Sequence, residues 1–503
     1  MHDFMLSLKK VNWTTWILVF CLGVAAFLRL YNFSNTLQFL GDQGRDAIVA
    51  KQILIDHNPV LIGPVTSTGN MYLGPLYYYF MVPFLAASYP DPVGPAYAVA
   101  FFSIITVGLM YYLGKELVGE KAALIGALLA SMAATLVYFS RFSWNPNLSP
   151  LVTLILAWAT FRAVTKNTKY WLAVGLCLAV LIQLHYITLL CVPAAGLIWL
   201  AQLRHNILEK KKVAPLIVDG VLTAGIFILS FAPLALFDIR HNFVNSQSFI
   251  HFMTADLGQN QATLLDRVRL IVTRIFLRSN QTLFQQFVYP NIILSTLAIL
   301  GFIACLFSFW KAQKKTPVGF YILLTYLVVS ILGLGYYRGA IFNHYIIYLL
   351  PLSMLLWGVA LSHLLKMKSG MTVVLVFAAV FVVGNFSNYH LENLGWTVNN
   401  IKETSGTILG HLRNNESYNI VLLSDSGDIE GQNYRYFLDV SAHPPLAMQD
   451  WGNVDTLFII NEDHKLKKVV DSPIYEIVVF PNKTPSEVYT VPNGPEITVL
   501  RRK

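Results

Sequence analysis

The segment Gly41-Asp42-Gln43-Gly44-Arg45-Asp46, followed by the helical pattern Ala47, Ile48, Ala50, Ile53 and Leu54, is the part of the chain best equipped for proton transfer. Asp42 falls at an N-cap position, and Arg45 and Asp46 follow one turn on. Partial burial and the Arg45 charge would tune Asp42 as a general base. A capped surface helix with an internal ion pair fits the same spacing, so the residues alone leave both readings open.

The other candidates are polar or aromatic groups at the ends of apolar stretches. Tyr77 and Tyr78, in Gly74-Pro75-Leu76-Tyr77-Tyr78-Tyr79, suit substrate contact as well as they suit an interfacial aromatic belt. Arg141 ends an apolar run, where it could grip an anion or simply snorkel. His185-Tyr186 and Asn343-His344-Tyr345 place two histidines at comparable run ends, and Phe237-Asp238-Ile239-Arg240-His241 opens a long loop. Leu264 to Phe276 forms an amphipathic stripe edged by Arg267, Arg274 and Arg278, the pattern of a helix lying on anionic lipid. No HxxxH and no histidine–cysteine cluster occurs, so no tight metal site is expected. A divalent cation, if one is used, would be held loosely by carboxylate and water.

The elements that must position these groups are membrane spans. Of the 503 residues 55% are hydrophobic and 13% charged, where a soluble domain carries about a quarter charged residues. Apolar stretches of about 20 residues recur from Val11 to Tyr389. The net charge of +9 sets topology rather than nucleic-acid binding, because the cations sit in short loops. Met71–Tyr89, with Pro75, Pro83 and five tyrosines, reads as an interfacial helix. With that segment outside the count, sixteen lysines and arginines fall on the inner side and only Arg141 and Arg338 in the short outer loops.

Eleven spans result, near 13–30, 93–113, 122–140, 148–161, 171–186, 187–203, 214–236, 287–310, 317–336, 341–362 and 371–389. The N-terminus is then cytoplasmic, and the long loops 31–92 and 237–287 face outward. The expected fold is a mainly α, polytopic helical membrane protein. Residues 1–390 form its transmembrane domain and 391–503 a small extracytoplasmic α/β domain. β-type runs in that domain are Ile420–Leu423, Thr456–Ile460, Ile474–Phe480 and Glu496–Leu500, with helical patterns at Ser405–Leu412 and Lys465–Val470. No Asp or Glu lies within an expected span apart from Asp219, which argues against an ion-coupled carrier.

In this order along the chain the motifs resemble the GT-C superfamily of lipid-phosphosugar-dependent glycosyltransferases. The likeness is to the branch of protein O-mannosyltransferases and aminoarabinose transferases, and it covers residues 13 to about 360. It rests on one span and then an acidic motif heading a loop helix. Gly74-Pro75-Leu76-Tyr77-Tyr78, the Ser140-Arg141 pair, and His344-Tyr345 with Leu350-Pro351-Leu352 follow. The resemblance aligns Asp42 with the catalytic aspartate and Arg45 with an arginine three residues later. Gln43 and Asp46 depart from the family's usual residues.

The resemblance implies a polyprenyl-phosphate sugar donor and a hydroxyl on a glycolipid, glycan or protein acceptor. Membrane lipid is the surrounding partner, and nucleic acid is not one. Asp42 becomes the general base, assisted by Arg45 and Asp46. Arg141, Arg240, Arg338 and His344 map to the donor phosphate, and Tyr77, Tyr78, His185 and Tyr345 to substrate contact. A non-enzymatic flippase or export component for lipid-linked glycans is the rival from another class. It requires charged groups lining the spans. A receptor acting through residues 391–503 would leave the Asp42/Arg45 cluster without a role.

Overall fold

The computed structural model describes residues 13–66, 69–254, 264–284, 292–313, 317–337, 342–389, 391–392, 396–413, 416–448, 450, 454–462, 469–492 and 494–502. Helices occupy each of the eleven expected span positions. Among the described residues six are long and apolar enough to cross a membrane on their own, and a pair bent by 42°, Ala214–Leu229 with Ala232–Arg240, makes a seventh if the two count as one span. The chain is a multi-pass membrane protein. The aromatic helix covers only Leu76–Ser88, 13 residues, and so falls short of the hydrocarbon thickness.

Small residues set the tightest contact in the bundle. Gly358 of helix Leu350–Leu364 lies against the Ala122 carbonyl, and Gly126 of helix Glu120–Met132 against Met354 and Leu355. A side chain at either glycine would drive the helices apart, because lipid offers no hydrophobic compensation for lost packing.

The expected third span, 122–140, is broken. Helix Glu120–Met132 stops at Ala133, whose backbone is extended, and restarts over Ala134–Tyr138. Three side chains from two other parts of the chain satisfy the freed backbone groups. Arg29, fully buried near the end of helix Trp13–Leu30, donates to the Ser131 carbonyl at 3.0 Å and the Ala130 carbonyl at 3.2 Å. Tyr389 donates its hydroxyl to the Met132 carbonyl, and Asn385 accepts from the Ala134 N–H at 2.6 Å. A non-helical turn at this depth persists only when its polar groups find partners inside the protein.

Residues 418–501 build a four-stranded sheet of order β1-β2-β4-β3, from Tyr418–Leu423, Thr456–Asn461, Pro485–Thr490 and Glu496–Arg501. β1 and β2 pair in parallel and the other pairs are antiparallel. β1 and β2 are buried along their whole length, which explains their continuous apolar runs. One face, with Val421, Leu457 and Leu500, packs on Ile477 and Phe480. Ile474–Phe480 is therefore not the expected strand but a helix, Tyr475–Val479. Its inward residues are three apart, while Tyr475 and Val478 are exposed. The fourth strand is the exposed edge Pro485–Thr490, which carries no apolar run to mark it. Helix Val398–Gly410 contains most of Ser405–Leu412, and most of Lys465–Val470 lies outside the described residues.

The other face of the sheet, with Ile420, Leu422, Phe458 and Val499, shares one apolar core with Phe39, Ala47, Ala50, Tyr77 and Tyr78. The first long loop is thus packed between the bundle and the C-terminal sheet. A bridge between Gln38 and Thr397, with Val398 N–H bonded to the Leu37 carbonyl at 2.9 Å, ties the two ends of the bundle's loop face together.

Candidate functional site

The first-loop helix spans Gly41–Leu54, and its N-cap is Leu40 rather than Asp42. Gln43 explains the two-residue shift, since its side-chain oxygen accepts the Leu40 N–H at 2.9 Å and serves that end of the helix. Asp42 is left in the first turn with its carboxylate pointing at Arg45.

Arg45 clamps two carboxylates of unlike environment. Its Nη1 lies 2.7 Å from Asp42 Oδ1 and its Nη2 2.7 Å from Asp46 Oδ1. The Asp42 side chain is 46% exposed and that of Asp46 is 0% exposed. Burial raises Asp46 to about 6 against the opposing pull of Arg45. Burial also works against the Arg45 charge, but the attraction of Asp46 and then Asp42 outweighs it and holds its pKa above the ordinary value. Tyr78, from the aromatic helix, lies against the same trio.

Tyr77 carries the cluster into the bundle. Its hydroxyl lies 2.7 Å from Ser143 Oγ, and Trp144 follows in the chain. The Trp144 ring centre is 4.4 Å from that of His344, which is 4.5 Å from Tyr345 and 5.5 Å from His185. His185 Nδ1 accepts the Ile187 N–H at 3.2 Å, so the ring proton sits on Nε2.

Arg141 is buried and turned toward the loop. Its Nη1 donates to the Leu28 carbonyl at 2.8 Å, and its Nη2 donates to the Tyr31 carbonyl and to Thr36 Oγ1. It also borders a cleft with Tyr138, Glu392 and Trp396. Arg240, by contrast, is exposed at the end of helix Ala232–Arg240. Its neighbour Asp238 accepts the Asn245 and Ser246 N–H groups at 2.8 and 2.9 Å, and Asn245 Oδ1 accepts the Tyr72 N–H. The start of the second long loop is thereby fixed to the first. Arg338 lies outside the described residues.

Among the described residues, no group of three or more His, Cys, Asp or Glu side chains is arranged to hold a metal ion.

Sequence reasoning missed the C-terminal contribution. Helix Gln432–Asp439 runs along the first-loop helix. A Cβ at Gly44 would strike the backbone of Gln432 and Asn433, and one at Gly41 would lie 2.5 Å from Asp428 Oδ2. Farther along, Lys51 pairs with Asp439 at 3.0 Å. The spacing of Gly41 and Gly44, three apart on one helix face, was the available signal of a close-packed partner.

Residues 75–233 match the model of the dolichyl-phosphate-mannose-protein mannosyltransferase family. ArnT from Cupriavidus metallidurans, solved bound to undecaprenyl phosphate, is similar in fold, with a TM-score of 0.61 at 13% identity over 97% of this chain and 98% of that one. The same protein in the apo state gives a TM-score of 0.58 at 14% identity with the same coverage. The oligosaccharyltransferase of Archaeoglobus fulgidus, solved with Zn and sulfate, gives 0.50 at 13% identity over 88% of this chain and 68% of that one. No curated protein sequence matches the chain. The family match and the shared fold support the GT-C resemblance, in the protein mannosyltransferase and ArnT branch.

Proposed function

We propose that this GT-C-type chain is a membrane glycosyltransferase that moves a sugar from a polyprenyl-phosphate donor to an acceptor hydroxyl on the extracytoplasmic face. One observation supports the residue assignment above the others: Arg45 joins an exposed Asp42 to a fully buried Asp46. Only the exposed carboxylate is open to an acceptor, while the buried one orients Arg45. The donor class is supported by the ArnT neighbour, whose structure holds undecaprenyl phosphate.

In this reading Arg45 engages Asp42 Oδ1, and Oδ2 receives the proton of the acceptor hydroxyl. The acceptor oxygen attacks the anomeric carbon as the bond from that carbon to the phosphate oxygen breaks. Polyprenyl phosphate leaves with the electron pair, and the anomeric configuration inverts in a single displacement. Arg240, with Arg338, stabilises the leaving phosphate. Arg141 holds the first loop in place. Tyr78, His185, His344 and Tyr345 shape the sugar side as hydrogen-bonding and stacking groups, and Tyr77 positions Tyr78. The catalytic unit is 1–390, with the C-terminal unit 391–503 on the same side as the two long loops. Incubating purified protein with polyprenyl-phosphate sugars and following release of polyprenyl phosphate tests the reading. Acceptor-dependent release supports transfer, whereas movement of intact donor across the bilayer without release identifies a flippase.

A further inference from the structure

We propose that the cleft between the first long loop and the link to the C-terminal unit binds a neutral carbohydrate. Its occupant is the part of a glycan acceptor remote from the bond being made. The inference rests on the reading of the chain as a glycosyltransferase and narrows the acceptor to a glycan.

Three stretches of chain wall the cleft. Gln38 comes from the first loop, Tyr138 and Arg141 from the end of the broken third span, and Glu392 and Trp396 from the link after the last span. The cleft encloses about 400 Å³, its open mouth included, which is within the range of small-ligand sites. Its walls are tied to one another. Gln38 bridges to Thr397, and the Phe39 N–H donates to the Trp396 carbonyl at 3.2 Å. The Tyr138 hydroxyl donates to Gln38 Oε1 at 3.1 Å.

The groups left over decide what fits. Among the described residues, the Gln38 amide N–H groups, the Trp396 indole N–H and the Glu392 carboxylate have no protein partner. Arg141 is buried and spends its bonds on the oxygens of Leu28, Tyr31 and Thr36, with no carboxylate beside it among those residues. Its charge disfavours a cation in the cleft, and the charge of Glu392 disfavours an anion. Donors, an acceptor and an indole ring together suit a ligand that is uncharged, rich in hydroxyls and apolar on one ring face. A sugar has that chemistry.

The cleft lies beside the first-loop helix. Gln38 precedes Asp42 by four residues, so their Cα atoms are at most about 14 Å apart. A glycan seated in the cleft can present a hydroxyl farther along its chain to Asp42.

Binding can be read without donor or transfer. Full-length protein in detergent is mixed with neutral trisaccharides of glucose, mannose, galactose and N-acetylglucosamine. Saturation transfer from protein to sugar ring protons is then measured by NMR. Transfer to at least one trisaccharide is expected. Glu392→Ala and Trp396→Ala should each weaken that binding about 10-fold, and Trp396→Phe should restore part of it by keeping an aromatic face. Glu392 is exposed and unpaired among the described residues, so Glu392→Ala should unfold at the wild-type temperature. No transfer to any trisaccharide, or equal binding by wild type and both Ala variants, overturns the proposal. A protein that releases polyprenyl phosphate yet binds no sugar keeps the transferase reading and loses the cleft. One whose sugar binding falls in both Ala variants but which releases no polyprenyl phosphate keeps the cleft and loses the transferase reading.

Discussion

The hydroxyl of Tyr77 and that of Ser143 lie 2.7 Å apart, both buried, and join the aromatic helix to the loop that carries Trp144. Through this one bond the Asp42/Arg45/Asp46 cluster, which Tyr78 touches, acquires a fixed distance to the histidine pair. Tyr77→Phe and Ser143→Ala should each lower stability by about 1 kcal/mol. Their double-mutant cycle should return a coupling of about 1 kcal/mol in thermal or chemical unfolding in detergent. Strict additivity would show that the two hydroxyls are not partners.

The broken third span makes its own prediction. Tyr389→Phe removes the donor to the Met132 carbonyl, and Arg29→Met removes the donors to Ala130 and Ser131 together. Each carbonyl left without a partner should cost about 1 kcal/mol, so Arg29→Met should lower the unfolding temperature more than Tyr389→Phe. Equal or negligible effects would mean that the break at Ala133 is satisfied by other means.

The two arginines should separate kinetically. Arg240→Ala is expected to weaken donor use about 10- to 100-fold, with Lys restoring part of it because it lacks the bidentate fork. Arg141→Ala should instead lower thermal stability, since it frees the carbonyls of Leu28 and Tyr31. Unchanged stability with a raised donor KM in Arg141→Ala would return that residue to the phosphate.

Asp46 gives the molecule a pH signature. Burial raises its pKa in the folded protein to about 6, above the roughly 3.9 of an unfolded chain. Between those values the folded state binds the extra proton. Its contribution is therefore fully present below about 3.9 and is lost as pH rises through about 6. The unfolding-temperature difference, wild type minus Asp46→Asn, should be largest near pH 4 and shrink on passing about pH 6. A difference that grows with pH would show that Arg45 dominates the burial of Asp46.

What the sequence made legible was local. Asp42 and Arg45 sit three apart on one helix face, so their pairing followed from helical geometry. Asp42 was nonetheless misplaced as the N-cap, because Gln43 reaches back to Leu40 in its stead. Long-range partners left no such trace. Arg29 reads as an ordinary end-of-span arginine until the break at Ala133 is seen, and that break contains neither glycine nor proline. Asp428 lies far along the chain from the Gly41 it touches, and only the bare Gly41/Gly44 face hinted that something packs there. The edge strand Pro485–Thr490 and helix Tyr475–Val479 were exchanged because a short apolar run fits either element, and the edge strand lacked one.

Turnover of Asp42→Asn beside Asp46→Asn tests Asp42 as the general base most directly, in the assay that follows polyprenyl phosphate release. Removing a general base costs about 10²- to 10⁴-fold in rate. Asp42→Asn should therefore fall by that factor while folding and donor binding are retained, and Asp46→Asn should keep measurable turnover. An active Asp42→Asn beside a dead Asp46→Asn would move the base one turn along the helix. If both stay fully active, the first-loop helix is not the catalytic centre.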